Sequence, residues 1–217
     1  MAHNGRKRVG VLISGRGSNL QSLIEACRDP AYPAEIVSVI SNRADALGLQ
    51  RAQAAGLPAQ VIPHKSYETR EDFDAALDSA LRDAGVELLC SAGFMRLLTE
   101  GFVEAWRDRQ LNIHPSLLPA FRGLRPQQQA LDAGVCVSGA TVHIVRHEMD
   151  AGPIIAQAVV PVLPGDDEDA LAARILAAEH RLYPHALRLI AAGDAWIEGE
   201  TMHYASRDIP RILFPDP

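Results

Sequence analysis

The chain has 217 residues, 47% of them hydrophobic and 22% charged, with a formal net charge of -6. That length suits one well-packed domain and is short for two. The acidic balance excludes a general nucleic-acid or anionic-membrane surface, so any anionic substrate must be held by local donors. The three cysteines, Cys27, Cys90 and Cys136, are widely spaced with no CxxC, which favours a reduced, cytoplasmic setting over a disulfide framework. No signal-peptide core and no apolar run near the roughly 20 residues of a membrane span is present.

The cluster Arg6-Lys7-Arg8 reads as a solvated terminus ahead of the first strand. Residues 9–13 are a β-rich run, followed by the turn Ser14-Gly15-Arg16-Gly17-Ser18-Asn19 and a helical stretch to about Arg28. A second strand at 36–40 precedes a helix at 46–55 that ends at Gly56. A short strand at 60–62, a helix at 71–84 stopped by Gly85, and an apolar strand at 86–91 follow. This alternation predicts an α/β fold, a Rossmann-like single domain whose mostly parallel central sheet carries helices on both faces.

The second half changes character. A helix at 99–109 leads into a strand carrying Asn112 and His114, and Pro126 opens a short helix to about Ala133. Residues 140–145 and 154–160 read as a strand pair joined by a loop holding Asp150-Ala151-Gly152. The longest helical pattern spans 166–192, with a kink expected at Pro184, and the tail beyond Asp194 has weak strand character at 196–204. No repeat and no interdomain linker is visible.

Several groups invite chemistry. The glycines of the first turn let backbone approach a ligand, and the helix behind them offers unpaired N–H groups to an anion. The turn is an incomplete dinucleotide fingerprint, because Leu20 takes the third glycine position and Ser41-Asn42-Arg43 ends strand two without an acidic residue. A phosphate or phosphoribosyl cradle is the preferred reading, against a tight structural turn with Ser18 as helix cap. Asn112 and His114 share one face of an extended strand that Pro115 brings to an end. An amide donor beside a titratable base is what acyl transfer requires. His143, His147 and Glu148 do not make a metal site, since four strand residues span roughly 13 Å. Ser116 lacks a Gly-x-Ser-x-Gly elbow and reads as a turn cap rather than a nucleophile. Asp150 is either a turn residue or the charged partner of His114.

Taken together, residues 13–20 (Ile-Ser-Gly-Arg-Gly-Ser-Asn-Leu), 92–96 (Ala-Gly-Phe-Met-Arg), 111–119 (Leu-Asn-Ile-His-Pro-Ser-Leu-Leu-Pro) and 149–154 (Met-Asp-Ala-Gly-Pro-Ile) resemble the phosphoribosylglycinamide formyltransferases, from about Arg8 to Gly193. The resemblance implies transfer of a formyl group from 10-formyltetrahydrofolate, a co-substrate, to the amine of phosphoribosylglycinamide in purine synthesis, without a metal. It implies a catalytic trio of Asn112, His114 and Asp150. Gly17, Ser18 and Asn19 would bind the acceptor phosphate and Glu179 its ribose. Arg70, Met95, Arg96, Leu97, Leu98, Asn112, Arg146, His147, Glu148, Met149 and Asp150 would line the folate site. One formyltransferase domain over 1–217 is implied, with a phosphoribosyl-binding half at about 8–105, a catalytic and folate-binding half at about 106–193 and a tail at 194–217. Its partners would be small-molecule substrates, with no nucleic acid and no membrane, and its state a monomer or homodimer.

The chain departs from the family pattern after the proline motif, where Arg125 and Gln127 stand in place of two histidines. A methionyl-tRNA formyltransferase shares the catalytic block but carries a further C-terminal domain, and only about 24 residues follow Gly193 here. A formyltetrahydrofolate hydrolase carries an N-terminal regulatory domain, and about eight residues precede the first strand. A nucleotide-binding oxidoreductase is weakened by Leu20 and the missing acidic residue.

Overall fold

Strand β1 (Lys7–Ile13) is buried along its last five residues, as an unbroken apolar run requires of a strand covered on both faces. In the computed structural model, which describes residues 5–214, the elements follow the order β1, α1 (Ser18–Cys27), β2 (Ala34–Ser41), α2 (Leu47–Ala54), β3 (Ala59–Val61), α3 (Arg70–Asp83), β4 (Leu88–Ser91), α4 (Glu100–Ala105) and β5 (Gln110–His114). Then come α5 (Pro126–Asp132), β6 (Val137–Ile144), β7 (Ile154–Pro161), α6 (Glu168–Ala192), β8 (Ala195–Glu198), β9 (Thr201–Tyr204) and β10 (Ile212–Leu213). The sheet is mostly parallel and flanked by helices, with a separate antiparallel pair near the C-terminus, so the expected α/β class is what the chain adopts. Two compact units divide inside β5, between Leu111 and Asn112.

In the first unit the strand order is β4-β1-β2-β3, every pairing parallel. Helix α3 shows how the sequence specifies its own packing. Thr69 Oγ1 caps its start by accepting from Asp72 N at 3.1 Å, and Gly85, at φ +66°, ends it in the left-handed region. Phe73, Leu77 and Leu81, spaced by four, fall on one stripe and pack with Leu12, Ile40, Leu89 and Trp106. Each such side chain gains about 1.5–3 kcal/mol from burial.

The expected helix at 99–109 is shorter than its pattern. Trp106 leaves helical geometry at its C-cap, and Asp108 takes φ +60°, which turns the chain toward β5. The Trp106 indole donates to Asp78 Oδ1 at 2.8 Å. The basic cluster at the start is also not a solvated terminus. Lys7 and Arg8 lie in β1, and the Arg6 guanidinium donates to the carbonyls of Cys27, Tyr32 and Ala34.

In the second unit β6 pairs antiparallel with β7, and β10 pairs parallel with the far side of β7. Helix α6 begins at Asp167, whose carboxylate accepts from Ala170 N at 2.8 Å, runs through Pro184, and stops at Gly193 with φ +76°. The weak strand pattern at 196–204 resolves into a hairpin, β8 and β9, with Gly199 at φ +63° in its turn.

Candidate active site

The cradle in the first unit lies at the C-terminal ends of β1, β2 and β4, where crevices open in parallel sheets. Gly17 is the N-cap of α1, at φ +68°. The first helical bond runs from Gln21 N to Gly17 O at 3.0 Å, so the N–H groups ahead of it point out of the helix end. Ser18 is therefore the first helical residue and not the cap. A cavity of about 460 Å³ opens there, and its lining includes Ser18, Asn19, Arg16, Arg43, His64 and Arg96 but no carboxylate. Arg96 Nε is enclosed and makes no hydrogen bond to the described residues. A helix end and cationic side chains without a carboxylate are chemistry that suits an anion.

Close backbone approach sets the loop's shape. Gly17 lies against Gly48 of α2, so that a Cβ on Gly17 would stand 2.5 Å from the Gly48 Cα. Gly48 N donates to Gly15 O at 3.0 Å. A Cβ on Gly48 would meet Ile13 Cδ1 at 2.6 Å and Gly17 Cα at 3.2 Å. Beside them Ser14 Oγ donates to Asn42 Oδ1 at 2.6 Å and accepts from Met95 N at 2.8 Å. His64 Nδ1 lies 3.1 Å from Asn42 Nδ2 and 3.2 Å from the Asn42 carbonyl oxygen. Met95 and Arg96, which resemblance assigned to folate, thus stand on the wall of the anion cavity. Leu97 is exposed, Leu98 packs against the core around Phe73, and Arg70 is exposed at the start of α3.

The second unit holds the three residues expected to be catalytic. Asn112 and His114 come from alternate positions of β5, and Asp150 comes from the loop between β6 and β7. His114 Nε2 lies 3.0 Å from Phe121 O. A carbonyl only accepts, so Nε2 carries a hydrogen. Nδ1 faces Asp150 Oδ2 at 3.4 Å, the two side chains being 8% and 10% exposed. Both ring nitrogens therefore face acceptors, an arrangement that the imidazolium satisfies in full. Asp150 sits at φ +53° and its Oδ2 also accepts from Gly123 N at 3.0 Å. Gly152 explains the Asp-x-Gly spacing, because a Cβ there would run into the Ile144 carbonyl.

His143 completes the arrangement, and sequence reasoning weighed it only as a metal ligand. Its Nδ1 donates to Ile144 O at 3.0 Å, which leaves Nε2 as an acceptor for the Asn112 amide at 3.2 Å. Burial pushes the His143 imidazole below the ordinary histidine value, opposed more weakly by the hydrogen bond to the Ile144 carbonyl and then by the nearby Asp150 carboxylate. The neutral ring thus fixes which end of Asn112 is amide and which is carbonyl. Asn112 keeps a second N–H for a ligand.

Ser116 is fully buried and donates to Ala120 O at 2.6 Å, a turn bond and not a nucleophile's setting. Glu179 is buried on α6. Arg146 is half-buried, while His147, Glu148 and Met149 are exposed on the loop ahead of Asp150. Glu148 pairs with Arg122 at 2.8 Å. Arg125 caps α5 at φ +53° and pairs with Glu168 of α6 at 2.7 Å. Gln127 lies in the first turn of α5. Among the described residues no histidine, cysteine and carboxylate cluster has metal-binding form and no helix is long and apolar enough to cross a membrane.

Residues 7–187 match the family model described as "Formyl transferase". The chain is 41% identical over 199 residues to phosphoribosylglycinamide formyltransferase of Escherichia coli (strain K12), covering 88% of this chain and 94% of that protein. It is 54% identical over 211 residues to the trifunctional purine biosynthetic protein adenosine-3 of Drosophila pseudoobscura pseudoobscura, covering 96% of this chain but spanning only 16% of that longer protein. Glycinamide ribonucleotide transformylase 1 from Symbiobacterium toebii superposes with a TM-score of 0.91 at 50% identity, over 94% of this chain and 96% of that one. The anion cradle, the Asn112, His114 and Asp150 arrangement and these likenesses agree, and the chain belongs to the formyl transferase family.

Proposed function

We propose that this enzyme transfers the formyl group of 10-formyltetrahydrofolate to the amine of N1-(5-phosphoribosyl)glycinamide, yielding formylglycinamide ribonucleotide and tetrahydrofolate in purine synthesis. The observation that carries the reading is the pairing of two oriented groups. Asn112 is fixed by His143, and His114 is held between Phe121 O and Asp150.

The acceptor phosphate binds at Gly17, Ser18 and Asn19 with the arginines of the cavity, and Glu179 takes the ribose. Folate is held by Arg70, by Met95 to Leu98 and by the loop from Arg146 to Asp150. The amine nitrogen attacks the formyl carbon, and the carbonyl oxygen becomes an oxyanion. The second Asn112 N–H stabilises that oxygen, such a donor being worth about 3–4 kcal/mol in the transition state. The proton on His114 Nδ1 is the one that substrate can share, because Phe121 O holds the other. Its contact with Asp150 is long, as catalytic hydrogen bonds often are before substrate tightens them. Loss of a proton from the attacking nitrogen and delivery of one to the folate N10 accompany cleavage of the C–N10 bond. No covalent enzyme intermediate is needed, since a free amine is already nucleophilic.

In this reading the phosphoribosyl-binding half spans about 8–105 and the catalytic and folate-binding half about 106–193, with 194–217 as a tail, in a cytoplasmic enzyme. The test is tetrahydrofolate release from 10-formyltetrahydrofolate with and without phosphoribosylglycinamide. Acceptor-dependent release is expected; equal release without acceptor means that water is the acceptor and the transferase reading is wrong.

A further inference from the structure

The loop that carries Asp150 is gripped at both ends by one hairpin. At its leading end Arg146, whose side chain is 11% exposed, donates from Nε to Glu200 Oε2 at 2.8 Å. At its trailing end the Tyr204 hydroxyl donates to Ile155 O at 2.7 Å, with Ile154 O at 3.3 Å. Glu200 stands in the turn between β8 and β9, and Tyr204 is the last residue of β9. The hairpin is itself anchored. Ala205 N donates to Asp194 O at 2.9 Å, the Arg211 guanidinium lies 5.0 Å from the centre of the Tyr204 ring, and β10 pairs with β7.

Asp150 sits at φ +53°, a left-handed conformation that aspartate tolerates better than most residues but that its surroundings must still select. Three of the four residues just ahead of Asp150 are exposed, so the loop's own side chains supply little of that constraint. The Tyr204 phenol is a donor at neutral pH, and burial pushes its pKa further upward.

We propose that Glu200 and Tyr204 are positioning residues for formyl transfer, holding the Asp150 carboxylate against His114 through Arg146 and the backbone of Ile154 and Ile155. This rests on the formyl-transfer reading. Neither residue touches the reacting atoms, and the C-terminal hairpin acts as the strap of the catalytic loop.

The test compares wild type with Glu200→Gln and Tyr204→Phe in steady-state formyl transfer and in hydrogen–deuterium exchange. Each variant is expected to lower kcat by about tenfold, as small misplacements of catalytic groups do, with the KM for acceptor within about twofold. Exchange should quicken in 145–153 and stay unchanged in β1, β2 and β4. Wild-type kcat in both variants overturns the proposal, and so does exchange that quickens equally along the whole chain, which marks a general loss of stability. Absence of acceptor-dependent turnover in the wild type itself is a different result and overturns the functional reading on which the proposal rests.

Discussion

The Asn112 amide lies 3.2 Å from Nε2 of His143, a buried imidazole whose other nitrogen is tied to the Ile144 carbonyl. The relationship is directional. One carbonyl fixes the tautomer, the tautomer makes Nε2 an acceptor, and the acceptor orients the amide. Replacing His143 with Phe removes the orienting lone pair while keeping an apolar ring in the buried site. This variant is expected to lose about 100-fold in kcat, with both KM values within about threefold, because a misaimed donor fails only in the transition state. Steady-state kinetics with each substrate varied in turn would check this, and a loss confined to KM would contradict it.

The trio makes a second prediction. Asn112→Ala removes the proposed oxyanion donor and is expected to cost about 10²–10³ in kcat. His114→Ala and Asp150→Asn remove the proposed proton-transfer group and its charged partner, and each is expected to cost about 10²–10⁴. The double variant of His114 and Asp150 should be little worse than the poorer single, since the two act as a unit. Additive losses would show that they do not.

Gly48 offers a test of the cradle from outside it. The Cβ of Gly48→Ala meets Ile13 and the Gly17 backbone, so the loop must shift. The acceptor KM is expected to rise by about tenfold while the KM for 10-formyltetrahydrofolate changes by less than twofold. Equal changes in both constants would argue for general disruption.

His143 also predicts a pH dependence of stability. Burial lowers its folded pKa from the ordinary value of 6.5, while the unfolded chain keeps the ordinary one. Above pH 6.5 the ring is neutral in both states, and its contribution is constant. As pH falls below 6.5 the unfolded state takes up the proton first, so stability is lost, at a limiting slope of about 1.4 kcal/mol per pH unit. Denaturant unfolding between pH 7.5 and 5.5 should show a steeper acid loss for wild type than for His143→Phe. Parallel curves would rule this out.

Much of this was legible in the residues, and the parts that were not share a cause. Period-2 spacing put Asn112 and His114 on one face, and the glycines of the first turn marked the loop that lines the cavity at the start of α1, because both are local patterns. The role of His143 was hidden. Its sequence neighbours raised only a metal site, which strand spacing rejects, whereas its partner, Asn112, is 31 positions away. His64 had no local signal at all, and Ser41-Asn42-Arg43 registered only as a missing acidic residue until the fold set Asn42 between Ser14 and His64. The hairpin's grip on the Asp150 loop joins residues about 50 apart, beyond any local pattern. The change to Arg125 also gains a structural reading, as an exposed pair with Glu168 between α5 and α6. Exposed pairs of this kind add little stability.

The most direct measurement of the central claim follows the formyl carbon itself. 10-Formyltetrahydrofolate labelled with ¹³C in the formyl group is mixed with phosphoribosylglycinamide and either wild-type enzyme or His114→Ala. With wild type, one labelled formylglycinamide ribonucleotide should form for each tetrahydrofolate released, and the variant should make both products at a rate lower by about 10²-fold or more. Label recovered as formate, or transfer at the wild-type rate by the variant, would contradict the account.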